Sequence, residues 1–220
     1  MEEDFFVFVF GRMTFEDRYV KGFDIIAKAV ASLGEKFKLT CVGAPPGKQR
    51  HMEKWFLKKT KITRDQLTIR GYCDQEELKG MFREAHLIAL PSRAEGFGLV
   101  ALEAISAGTP VLVSSQSGIS TALQEVEDGY SVIVNTSQEP EEWERRIKEL
   151  SLQTQQKRSD NAIRLREKLQ KAEKGPSQDR LSQEVQNSTE KVIYGKGKRP
   201  LSATERTDDL QIKSKEVRTP

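Results

Sequence analysis

The sequence predicts an α/β domain whose parallel sheet is covered by helices on both faces. Two observations carry that expectation. Short apolar runs recur along the first 150 residues, and a helical pattern lies between successive runs. Strands buried on both faces read as apolar runs of this kind. With right-handed crossovers, such an order folds into a doubly wound, Rossmann-like sheet.

The elements follow in order. Strands are expected over 5–10, 37–42, 67–70, 87–90, 111–114 and 131–134. Helices are expected over 22–33, 49–60, 75–84, 98–107, 120–125 and 141–150. At the head of the third helix, Asp74 is placed to act as N-cap, with Glu77 completing a capping box. The helix over 98–107 is apolar almost all round. Leu99, Val100, Ala101, Leu102, Ala104, Ile105 and Ala107 leave it no polar face, which predicts burial. Glu103 nevertheless sits in its middle, and an isolated buried carboxylate costs several kcal/mol unless donors surround it. A backbone amide or a lysine could supply those donors; so could the two hydroxyls of a ligand diol.

The pattern stops near Leu150. Residues 1–150 are read as one domain and residues 151–174 as a polar helical extension with a thin apolar stripe at Ile163, Leu165 and Leu169. Residues 175–220 are rich in Ser, Thr, Gln, Lys, Glu and Pro, a composition expected to be disordered. The run YGKGKRP within them reads as a solvated tail.

Composition narrows the function. The net charge of +3 over 220 residues is too small to imply nucleic acid. Cys41 and Cys73 have no metal-binding or redox spacing and read as reduced thiols. The N-terminus, MEEDFFVFVFGR, is acidic where a signal peptide is basic, and its apolar run is too short to span a membrane. A cytoplasmic protein with no transmembrane segment is expected, starting at a domain boundary within a larger design. Phe5, Phe6 and Phe8 near that boundary are expected to form an exposed apolar patch.

In a parallel α/β sheet, ligands bind beyond the carboxyl ends of the strands. Three loops there carry polar residues. After the first strand, Gly11 is followed by Arg12, and Lys21 stands just before the next helix; two cations at one mouth suit a diphosphate. The loop lacks G-x-G-x-x-G and no acidic residue closes the following strand, so a dinucleotide site is disfavoured. After the third strand, Gly71 allows a sharp turn, with Tyr72 and Cys73 at the sheet mouth where a base could rest. After the fourth, Gly96 and Gly98 bracket Phe97 at a helix start, where free backbone amides attract anions. Glu95 precedes them. His51 and His86 read as surface or edge residues, so no nucleophile triad is expected.

The segments FGRMTFEDRYVKGFDIIAKAV, IRGYCDQEELKGMF, ALPSRAEGFGLVALEAISAGTPVLVSSQSGISTAL and DGYSVIV together resemble the C-terminal, donor-binding half of family-4 glycosyltransferases of the GT-B fold. The resemblance runs in order from about Phe5 to Leu150. Its most specific part is EGFGLVALE, two glutamates separated by seven residues. It implies that Arg12 and Lys21 bind a donor diphosphate next to Gly11, and that Gly71 and Tyr72 lie against the nucleobase. It also implies that Glu95 lies beside the donor sugar, and that the amides of Phe97, Gly98 and Leu99 hold sugar and phosphates. Glu103 would accept the ribose hydroxyls. Glu95, Arg12 and Lys21 are the candidate catalytic residues. The family uses nucleoside-diphosphate sugars, retains anomeric configuration and needs no metal or other cofactor. An acceptor-binding N-terminal domain, in cis or in trans, is the implied partner. A non-catalytic sugar-nucleotide sensor or a scaffold is the competing expectation.

Overall fold

Strand β1 (Phe5–Phe10) shows how the sheet is built. Phe5, Val7 and Val9 point into one buried cluster, and Phe8 points into another on the opposite face. The same alternation runs through β2 (Phe37–Ala44), β4 (Leu87–Leu90) and β5 (Val111–Ser114). Leu39, Leu87, Ala89 and Leu112 serve the first cluster; Val42, Ile88, Leu90, Val111 and Val113 serve the second. A sheet apolar on both faces needs a helical layer on each. This computed structural model describes residues 3–95, 97–135 and 140–173.

With β3 (Leu67–Gly71) and β6 (Ile133–Val134), the strands form a six-stranded, parallel sheet in the order β3-β2-β1-β4-β5-β6. One face is covered by α2 (Phe23–Leu33), α3 (Gln49–Lys59) and α7 (Pro140–Ser151), through Ile26, Phe56, Trp143 and Ile147 among others. The other is covered by α4 (Gln75–Glu84), α5 (Leu99–Ser106), α6 (Gly118–Gln124) and α8 (Gln155–Glu173). A single turn, α1 (Asp17–Val20), precedes α2. This is the doubly wound, Rossmann-like architecture the sequence predicts.

Several expectations need correcting. The strand expected over 131–134 is only Ile133–Val134, because Gly129–Val132 forms a 3-10 turn. There the chain passes so close to α6 that a side chain at Gly129 would strike the carbonyl of Leu123. Phe5 and Phe8 are buried, so the expected aromatic patch reduces to Phe6, 38% exposed, whose ring lies against His86. His86 holds the edge of β1, accepting from the Phe6 amide at Nδ1 and donating its own amide to the Phe6 carbonyl. In α8, Ala162, Leu165 and Leu169 are buried, and the latter two, from the expected apolar stripe, join the second cluster. Residues 175–220 and Gly96 lie outside the described residues.

Candidate functional site

The strand order reverses between β1 and β4. From β1 the chain winds outward through β2 to β3, then returns to β4 on the other side. The loops leaving β1 and β4 therefore diverge and open a crevice at the carboxyl end of the sheet. A cavity of about 330 Å3 occupies it. Gly11, Arg12, Lys21, Tyr72, Glu95, Gly98, Leu99 and Glu103 all line it. Gly71 and Phe97 lie behind the lining: Gly71 ends β3, and the Phe97 carbonyl accepts from the Ile119 amide at 2.6 Å.

The β1 loop is anchored from beneath. Met13 is fully buried, and its amide donates to the Gly43 carbonyl at 3.0 Å. Gly43 is left-handed, with φ of +117°, and a Cβ there would collide with the Gly11 carbonyl. Only glycine lets β2 and the β1 loop approach this closely. The loop then turns through α1, where Thr14 and Asp17 exchange hydrogen bonds. Arg12 leans on Asp17 at 3.6 Å and keeps a side chain 55% exposed. Lys21 differs: its Nζ lies 2.6 Å from Glu95 Oε2, with both side chains about a fifth exposed, 21% and 19%.

The β4 loop supplies the facing wall. Glu95 also accepts from Ser92 Oγ at 3.1 Å, and its backbone bridges to Ser117. Gly98, at φ of +89°, is the N-cap of α5 and offers no side chain to obstruct the helix start. The amides of Gly98 and Leu99 have no acceptor among the described residues, and both residues line the cavity. A helix start of this kind favours an anion. Glu103 lies one turn further on. It is half-buried rather than buried, because the face of α5 that carries it borders the cavity instead of the core. Its carboxylate has no hydrogen-bond or ion-pair partner among the described residues, and burial pushes it above the ordinary 4.5.

The third wall is the β3 loop. Asp74 and Glu77 form the expected capping box, each accepting from the other's amide at 2.9 Å. Tyr72 is 56% exposed at the rim. Burial raises the Cys73 thiol, and Glu77 and Asp74 push it the same way. Leu78, Leu90 and Val100 make an apolar floor that suits a flat ring.

One device escapes sequence reasoning. Arg93, in the β4 loop, grips Asp24 at the start of α2 with two bonds of 3.0 and 3.2 Å. Its amide donates to the Val20 carbonyl at 2.8 Å, and its guanidinium reaches the Tyr19 carbonyl. The loops carrying Lys21 and Glu95 are thus bolted together. The partners are 69 residues apart, so no local spacing announces them. A larger cavity, about 530 Å3, lies around the start of β5 between α7 and α8. Its arginines are already engaged: Arg158 donates to the Leu150 and Gln153 carbonyls, Arg146 to those of Ser131 and Ile133.

Comparisons with known proteins show the family and the fold. The D-inositol 3-phosphate glycosyltransferase 1 of Catenulispora acidiphila is 34% identical over 137 residues, which are 56% of this chain and 31% of that protein. The chain spans about a third of the length of the curated relatives it matches. The C-terminal domain of a glycosyl transferase group 1 family protein from Francisella tularensis superposes with a TM-score of 0.61 at 17% identity, covering 78% of this chain and 87% of that one. The Anabaena protein HepE, in complex with UDP and glucose, gives 0.62 at 20% identity, covering 77% and 44%. Both likenesses are of fold, and each is to a glycosyltransferase-type α/β half of the GT-B kind. The profile described as family 4 glycosyltransferase in conflict systems matches residues 1–178. The chain belongs to that family.

Proposed function

We propose that this chain is the donor-binding half of a retaining glycosyltransferase that uses a nucleoside-diphosphate sugar. One observation carries the reading: a single cavity at the switch point brings two cations of the β1 loop, Arg12 and Lys21, to the open start of α5 and to the carboxylates of Glu95 and Glu103. HepE, described with UDP and glucose, shares the fold and supports a ligand of that class.

In this reading Arg12 and Lys21 meet the diphosphate, and the amides of Gly98 and Leu99, with that of Phe97 behind them, meet phosphate and sugar. Gly11 and Gly71 let the backbone come close. Tyr72 rests against the base, Glu95 lies beside the sugar, and Glu103 accepts the ribose hydroxyls. When the bond from the anomeric carbon to the diphosphate oxygen breaks, its electron pair stays on that oxygen. Fixed cations and helix amides stabilise the growing charge without reorganising. No metal takes part, so chelation leaves binding unchanged; a Mg2+ requirement would sink that part of the reading. An acceptor-binding domain, in cis or in trans, completes turnover.

The test is calorimetric binding of UDP, GDP, ADP and one sugar derivative of each. Glu103→Ala is expected to weaken the bound nucleotide roughly tenfold or more, the worth of a charge-assisted hydrogen bond. Unchanged affinity would refute the ribose assignment. A competing reading makes the same cavity a non-catalytic sugar-nucleotide sensor. Transfer of sugar to any acceptor by this chain alone would exclude it.

A further inference from the structure

We infer that the Lys21–Glu95 ion pair makes the site prefer a sugar-loaded nucleoside diphosphate to the spent one. The inference rests on the nucleotide-sugar reading and adds to it a selectivity device.

The two cations of the site are held differently. Arg12 is largely exposed and only leans on Asp17 at 3.6 Å, so it can meet a phosphate at little cost. Lys21 is already neutralised, at 2.6 Å from Glu95. The pair is also stiffly mounted. The Lys21 amide donates to the Asp17 carbonyl at 2.8 Å, Glu95 is steadied by Ser92 Oγ and by its bridge to Ser117, and the Arg93–Asp24 fork joins the two loops. Neither partner escapes its neighbour by a loop movement alone.

A diphosphate that recruits Lys21 must therefore draw it from Glu95. That leaves a largely buried carboxylate without its cation and beside a new anion, which is unfavourable on both counts. A bare nucleoside diphosphate offers nothing to offset this. A sugar attached to it does, because its hydroxyls donate to the carboxylate that Lys21 vacates. A site built around polar groups rejects an analogue that leaves them unpaired. Glu95 thus acts on specificity as well as on the sugar's position: it holds Lys21 in check against the product and releases it to the donor. The exchange also favours departure of the nucleoside diphosphate once the sugar has gone.

The experiment is calorimetry on the full chain with UDP, UDP-glucose, GDP, GDP-mannose, ADP and ADP-glucose, for wild type, Glu95→Gln, Glu95→Ala and Glu103→Ala. Thermal unfolding checks that each variant is folded, and the two Glu95 variants back each other up. Wild type is expected to prefer the loaded form of whichever nucleotide it binds. Both Glu95 variants are expected to bind the bare diphosphate about tenfold more tightly and the loaded form no more tightly, so the preference falls about tenfold. Glu103→Ala is expected to weaken both forms alike, since both carry the ribose, and to leave the preference intact. A preference unchanged in the Glu95 variants, or a bare diphosphate bound more weakly by them, overturns the inference while the nucleotide-sugar reading stands. Failure of wild type to bind any of the six overturns both.

Discussion

The two sides of the cavity are engineered to different standards of rigidity. On the switch-point side, the loops after β1 and β4 are joined by the Arg93 fork, by the Lys21–Glu95 pair and by close backbone contacts at glycines. On the β3 side, the rim runs from Gly71 at the end of β3 to the Asp74 cap of α4, with the Tyr72 side chain standing in solvent. The difference matches the tasks. Charges must be fixed before they can stabilise a developing anion, because reorganisation would consume the gain. A flat ring resting on an apolar floor tolerates a looser wall. The switch-point clamp should therefore respond to mutation mainly in stability, and the exposed rim at Tyr72 mainly in binding.

The largest expected effect is from Arg93→Ala. It leaves Asp24, whose side chain is only 8% exposed, with only the Lys28 ammonium at 4.0 Å, and should lower unfolding free energy by about 2–3 kcal/mol, below the usual loss for a broken buried pair because Lys28 remains and Arg93 itself is 26% exposed. Chemical denaturation measures it, and adding Asp24→Asn should recover part of the loss. A change below about 0.5 kcal/mol, the usual size for a surface site, would mean the fork is no clamp. Asp74→Ala comes next, with about 1 kcal/mol lost from the α4 capping box.

Glu103 gives a smaller, pH-dependent effect. Its carboxyl is raised in the folded chain, so the native state holds the proton more tightly than the unfolded state. Its contribution therefore falls as pH rises from about the ordinary 4.5 through the raised value. Glu103→Gln should be more stable than wild type at neutral pH, and the gap should close in acid. Melting curves of the two proteins across pH 4 to 8 would show it, and a gap independent of pH would contradict the assignment. Tyr72→Ala should change stability least, within about 0.5 kcal/mol, while weakening nucleotide binding. A large stability loss there would erase the contrast between the two walls.

What the sequence revealed depended on whether a signal was local. FFVFVF and LIAL announce strands because buried parallel strands are apolar on both faces, and Asp74–Glu77 announces a helix start by spacing alone. The strand after Gly129 was overestimated because the approach to the Leu123 carbonyl is a tertiary event. Glu103 was expected among apolar neighbours on every side; the chain could not reveal that one side of α5 borders open space. Arg93 and Asp24 meet only through the fold, as do Lys21 and Glu95, although each of the latter two stood out within its own loop.

The returning helix α8 carries one more consequence. It packs along α5, and Arg166 Nη1 donates to the Ser106 carbonyl at 3.2 Å, where α5 ends. The opposite end of α5 is the open start at Gly98 and Leu99. The eight-residue helix behaves as a short electrical element, with its positive pole facing the cavity and its negative pole earthed on a guanidinium. What reads in the sequence as an appendage thus serves as the return terminal of the site, some sixty residues away along the chain.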